Sequence, residues 1–129
     1  METIKRLGIY IDYENAFLME LINNMIVSRD IKFEVNEKTD LEDTGIQPKI
    51  IHKVEEDHLK MAYYVELGDI ISNYHEVVLF GPNNVKNELF NLLKFDHNFE
   101  TIKIKIGSND VMNIDEMHAY VKEYYGIIL

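Results

Sequence analysis

Glu76-Val77-Val78-Leu79-Phe80-Gly81-Pro82-Asn83-Asn84-Val85-Lys86 decides how the rest of the chain is arranged. Its first five residues are almost continuously apolar, the pattern of an internal strand covered on both faces. Gly81-Pro82 ends that strand and opens a helix. Proline suits a first helical position, where its missing N–H would have had no partner. The helix places Val85, Leu89, Leu92 and Leu93 on its core face.

Downstream, Thr101 to Ile106 alternates Ile102, Ile104 and Ile106 with Lys103 and Lys105, the period of a strand with one buried face. The two lysines suit an edge strand, where charge discourages pairing with other chains. This strand is expected to lie parallel to Glu76–Phe80. Gly107 to Asp110 is a loop. Asn113 stands three residues before Glu116, close to a capping box. The last helix carries Ile114, Met117, Val121 and Tyr124, and Gly126 stops it. The apolar tail Ile127-Ile128-Leu129 is expected to pack on the sheet or on a neighbouring chain.

Upstream, Leu59, Tyr63, Leu67, Ile70 and Tyr74 form one helical stripe, with the helix running from Glu55 to Asn73. Residues 36–48 are polar, acidic and without period, and are read as a mobile connection. Before them come three strands in an antiparallel meander. Arg6 to Ile11 alternates, Ala16 to Leu21 returns, and Met25 to Val35 follows. Asp12 to Asn15 and Asn23-Asn24 are the turns. The reading is therefore one α/β domain over residues 1–129, with a mixed five-stranded sheet in the order βββ-α-β-α-β-α.

Composition narrows the function classes. The 129 residues carry a net charge of −10, which opposes a broad nucleic-acid footprint while leaving room for a local basic site. There is no cysteine, so disulfides and thiolate metal sites are excluded. No apolar run approaches the roughly 20 residues of a membrane span, and the first residues lack a leader-like apolar region. A cytoplasmic protein without a cofactor is the expectation.

The chemistry-bearing candidates are few. At the strand–helix junction, backbone N–H groups near Gly81, Asn83 and Asn84, with Lys86 in the first turn, form a candidate anion site. The plain alternative is an ordinary capped turn. The spacing is not a Walker loop, since only one glycine is present and no Lys-Ser/Thr pair follows. Asp12, at the exit of the first strand, is a candidate metal ligand or simply a turn residue. Two metal ions would need several more carboxylates; Glu14 is adjacent, and Glu88, Asp110 and Asp115 are distant in sequence, with nothing in the spacing that brings them together. His52 and His58 are six apart, not the four of a helical metal pair. His75, His97 and His118 are read as surface or packing residues. Among the eight tyrosines, Tyr63, Tyr74 and Tyr124 fall on expected core faces, and Tyr120 and Tyr125 are expected to be exposed.

The run Val77 to Leu89 resembles a bacterial family of small "translational machinery" proteins. Its hallmark is an apolar strand, Gly-Pro, two or three variable residues, then Lys and Glu-Leu on a helix. Lys103 to Asp110, Asn113 to Tyr125, and Gly8 to Asp12 with Ala16 fit the same order. Val85 replaces the family's small residue before the lysine, and Asn83-Asn84 replace its acidic or glycine turn. That family is similar in fold to the central domain of archaeal and eukaryotic release factors and of Pelota, which is RNase H-like. The resemblance implies a translation-associated domain contacting the ribosome or RNA. In release factors a Gly-Gly-Gln loop promotes peptidyl-tRNA hydrolysis. This chain has no Gly-Gly-Gln, so peptide release is not implied. Two other readings compete: a self-associating interaction protein and a metal-dependent nuclease.

Overall fold

The computed structural model describes residues 4–32 and 48–126, with side chains for 4–32 and 60–126. The strands are β1 (Arg6–Ile11), β2 (Asn15–Ile22), β3 (Met25–Lys32), β4 (Glu76–Phe80) and β5 (Lys103–Ile106). The helices are α1 (Pro48–Ile71), α2 (Val85–Lys94) and α3 (Ile114–Tyr124), with a short 3-10 turn at His97–Phe99. The expected mobile connection as far as residue 47, the end of the third strand at Phe33 to Val35 and the tail Ile127-Ile128-Leu129 lie outside the described residues; Pro48, the last residue of that expected connection, opens α1 instead. No helix among the described residues is long and apolar enough to cross a membrane.

The sheet order is β3-β2-β1-β4-β5. β1, β2 and β3 pair antiparallel, as the meander requires. Asn23 and Asn24 turn β2 into β3 with φ of 50° and 67°, the left-handed pair that a two-residue hairpin needs. β4 lies parallel to both β1 and β5. It is internal, as its unbroken apolarity predicts.

Alternation sends each strand's side chains to two cores. Leu7, Ile9, Ile11, Val77 and Leu79 face α1 and α2, where Tyr63, Tyr64, Leu67, Ile71, Val85, Leu89 and Leu93 meet them. Tyr10, Met19, Val78 and Phe80 face α3 through Met117 and Val121. Val121 lies so close that a Cβ on Gly8 would stand 2.4 Å from its Cγ2. That glycine lets α3 settle onto the sheet.

Several expectations shift. α1 begins at Pro48 rather than Glu55. The apolar stripe used to detect it marks only part of its length, and Pro48 is itself a start signal. On α2, Lys86 is buried and Leu92 is exposed, because the helix is rotated relative to its apolar count. On α3, Ile114 and Tyr124 are exposed. Tyr120 is half-buried against Phe80 instead, with centroids 4.4 Å apart, and Tyr125 is half-buried with its hydroxyl donating to Leu7 O. The capping box at Asn113 and Glu116 is present in both directions, and Gly126 takes φ 71° after the helix.

Candidate anion site at the strand ends

β1 and β4 lie side by side and their chains depart in opposite directions, β1 into β2 and β4 through α2 into β5. Such a switch point, at the carboxyl ends of parallel strands, is where open α/β sheets hold ligands. The exits here are tied tightly. Gly81 N–H donates to Ser108 O at 2.9 Å, and Gly107 N–H donates to Leu79 O at 2.7 Å. Ser108 N–H donates to the Tyr120 hydroxyl at 2.9 Å. Gly81 has φ 132°, and a Cβ there would stand 2.4 Å from Ile11 O. Only glycine meets both conditions. Its contact holds the start of the loop against the end of β1.

The loop differs from the expected junction. Pro82 is not the first helical residue; it and Asn83 form a bend, and α2 starts at Val85 with Asn84 as its N-cap. The Gly81–Ile11 contact and the Gly81–Ser108 bond hold the chain on the strand ends, so the helix starts three residues later. Asn87 N–H and Glu88 N–H both donate to Asn84 O. The Asn84 side chain does not cap the helix; it accepts from the Asn87 amide at 2.8 Å. The positive end of α2 therefore keeps its field toward the loop.

Lys86 departs most from expectation. Instead of reaching out from the first turn it is 2% exposed, with its ammonium donating to Asn83 O at 3.0 Å. Burial lowers its pKa below the usual lysine value. Among the described residues it has no carboxylate in ion-pair range. The positive charge thus lies beneath the loop rather than above it. An anion on Asn83 and Asn84 would feel it through a low-dielectric layer, where it is screened less than at the surface.

Asp12 is a turn residue in this structure. Its Oδ1 accepts from Glu14 N–H at 2.8 Å and Asn15 N–H at 2.7 Å. Among the described residues no three His, Asp or Glu side chains gather as metal ligands. Glu88 is engaged elsewhere, accepting from Lys60 at 2.8 Å and from the Tyr64 hydroxyl at 2.7 Å. Lys60 holds its carboxyl below the usual range, and the Tyr64 bond adds to that. Lys60 also lies 5.6 Å from the Tyr13 ring centroid. This network links the β1–β2 turn to α1 and α2, and no local pattern announces it, because its members are far apart in sequence. Tyr63 lies close enough to Asp12 that burial, then the Asp12 charge, raise its pKa.

The histidines do not converge. His75 Nδ1 accepts from Lys5 N–H, His97 pairs with Glu100 on the surface, and His118 sits on α3. The side chains of His52 and His58 lie outside the described residues.

The sequence matches no protein-family model and no curated protein. In three dimensions the chain is similar to Pelota of Archaeoglobus fulgidus, whose crystal structure reveals inter-domain plasticity. The TM-score is 0.59 at 10% identity, over 95% of this chain and 32% of that one. The chain thus spans about a third of the Pelota chain. The likeness is one of fold alone: an α/β domain with a five-stranded mixed sheet and three helices. A member of the Ppx/GppA family from Aquifex aeolicus overlaps over 81% of this chain and 35% of its own, with 11% identity and a TM-score of 0.30. That overlap is too slight to support any argument.

Proposed function

We propose that this chain is a translation-associated domain of the small "translational machinery" kind, contacting the ribosome or its RNA without releasing peptides. The observation that carries the reading is the Pelota-like fold over 95% of the chain. At its switch point lies a loop suited to a phosphate. The backbone N–H groups of Asn83 and Asn84 would face the anion, with the Lys86 charge beneath them; Gly81 N–H is taken by Ser108 O, so that glycine shapes the loop rather than donating. A helix end and a partly screened charge each contribute on the order of 1 kcal/mol. Together they give about 2 kcal/mol, so affinity for free phosphate is only in the range of tens of millimolar, and an RNA backbone would add the remaining contacts.

The test is co-sedimentation of the full chain with ribosomes across a salt series. The expected result is pelleting at low salt that declines as salt rises. A folded chain that stays in the supernatant at every salt concentration overturns the reading. Phosphate titration followed by amide shifts tests the loop. The amides of Asn83 to Lys86 should move more than other surface amides, and less so in Lys86→Ala.

Self-association is the second reading. The edge strand β3 exposes Met25 and Val27, and an apolar edge invites pairing with another chain. Analytical ultracentrifugation decides it: a concentration-dependent dimer that does not bind ribosomes favours this reading over the first.

A further inference from the structure

At the opposite end of the parallel strands, Arg6, Glu76 and Lys103 stand in register across β1, β4 and β5. The next row on the same face is Gly8, Val78 and Lys105. Strands lie about 4.8 Å apart, so the first row sets a cation on either side of one carboxylate. α3 crosses this face, with Val121 over Gly8, and its last turn brings Tyr124 and Tyr125 beside the rows. Together they line a cavity of about 380 Å³.

The charge in this groove runs against that of the whole chain. Three cations meet a single carboxylate, in a protein of net charge −10. Arg6 Nε lies 3.5 Å from Glu76 Oε1, which offsets one of them. Lys103 and Lys105 are exposed, and among the described residues neither forms an ion pair.

The aromatic half is held in place. The Tyr125 hydroxyl donates to Leu7 O at 2.9 Å, and the Arg6 guanidinium lies 5.8 Å from its ring centroid. Tyr125 stands edge-on to Tyr124 at 5.1 Å. Tyr124 stacks on Tyr120 on one side and remains 39% exposed. Burial raises the pKa of both Tyr124 and Tyr125, so neither phenol adds negative charge at neutral pH.

We propose that this groove binds a segment of single-stranded RNA, with an unpaired base against Tyr124 and its flanking phosphates on Lys103 and Lys105. The inference rests on the RNA-contacting reading above and assigns it a surface separate from the Gly81–Lys86 loop. Fixed aromatic rings beside unpaired lysines are the combination that holds single strands, the ring taking the base and the cations the backbone. An acidic peptide would use the lysines and leave the exposed ring without a role.

The experiment is fluorescence anisotropy of a short labelled oligouridine with the full chain, across a salt series. Each variant's fold is checked by its amide spectrum. Lys103→Glu with Lys105→Glu should weaken binding and flatten the salt slope by about 1.4, at roughly 0.7 per phosphate contact on a single strand. Tyr124→Ala should weaken it about 5- to 150-fold at unchanged slope. Lys94→Glu, on the other side of the sheet, should bind as wild type does.

If wild type binds and the groove variants match Lys94→Glu, the groove is the wrong surface while the RNA reading stands. If wild type binds no RNA and does not pellet with ribosomes, both fail. If polyglutamate displaces the RNA and Tyr124→Ala changes nothing, the groove is a charge-only surface for acidic peptides and the inference is overturned.

Discussion

Replacing Gly81 with alanine perturbs the point where β4 leaves the sheet. Two penalties add. The backbone there has φ 132°, a region that L side chains avoid at a cost of about 1–3 kcal/mol. The new methyl would also stand 2.4 Å from Ile11 O. Because that atom is backbone, no rotamer change relieves the contact and the ends of β1 and β4 must separate. Overpacking of this kind costs about 1–3 kcal/mol. The expected total is about 2–6 kcal/mol, a large share of the roughly 5–15 kcal/mol that stabilises a typical domain. At about 4 °C per kcal/mol for a chain of this size, the melting midpoint should fall by about 8–24 °C. Gly126→Ala is the internal control. Its φ is 71°, with nothing within 4 Å of the added methyl, so it should cost only about 1 kcal/mol. Urea unfolding of both variants gives the difference. Equal losses at the two positions would refute the close approach of Gly81 to Ile11, and with it the tight switch point.

Three further outcomes are expected. Burial lowers the Lys86 pKa below the ordinary 10.5. Between those two values the unfolded chain holds a proton that the native chain has released, so stability rises with pH there. In Lys86→Met, urea midpoints measured from neutral pH up to about 10 should lose that rise; above it tyrosines ionise in the unfolded chain while burial keeps the native ones protonated, which lowers stability. Glu88→Gln should cost about 1 kcal/mol at neutral pH, since its pair with Lys60 is partly screened by solvent. The Glu88 pKa is lowered, so its contribution is present above the unfolded value of 4.5 and fades as pH falls through the folded one. Acid titration should therefore destabilise wild type more than the variant. Gly8→Ala should lose about 1–3 kcal/mol by pushing Val121 and α3 off the sheet. Val121→Ala in the same chain should recover part of it, a coupling of about 1 kcal/mol read by double-mutant cycle.

Patterns of short range were legible because their physics is local. The alternation of Leu7, Ile9 and Ile11, the Asn23-Asn24 turn and the capping box at Asn113 and Glu116 each depend on residues within a few positions. So does the internal character of β4, written in five apolar residues. Lys86 was misread for a reason of the same kind. Its place in the first helical turn was inferred from spacing, but whether it points outward depends on how α2 is rotated against the sheet. Tyr120, Tyr124 and Tyr125 exchanged roles through the rotation of α3, which Gly8 and Val121 set from remote parts of the chain.

The sequence by itself determined the element types, their order, the mixed sheet and the acidic balance of the chain, because periodicity, turn chemistry and charge are sums over neighbours. Tertiary structure alone decided where charge and aromatic rings gather. Glu88 meets Lys60 and Tyr64, the Lys86 ammonium tucks under Asn83, and Arg6 lines up with Glu76 and Lys103 beside Tyr124 and Tyr125. Each of the first and last groupings joins residues more than twenty positions apart. Strand register and helix rotation fix such meetings, and both are settled by packing across the whole sheet rather than by any one segment.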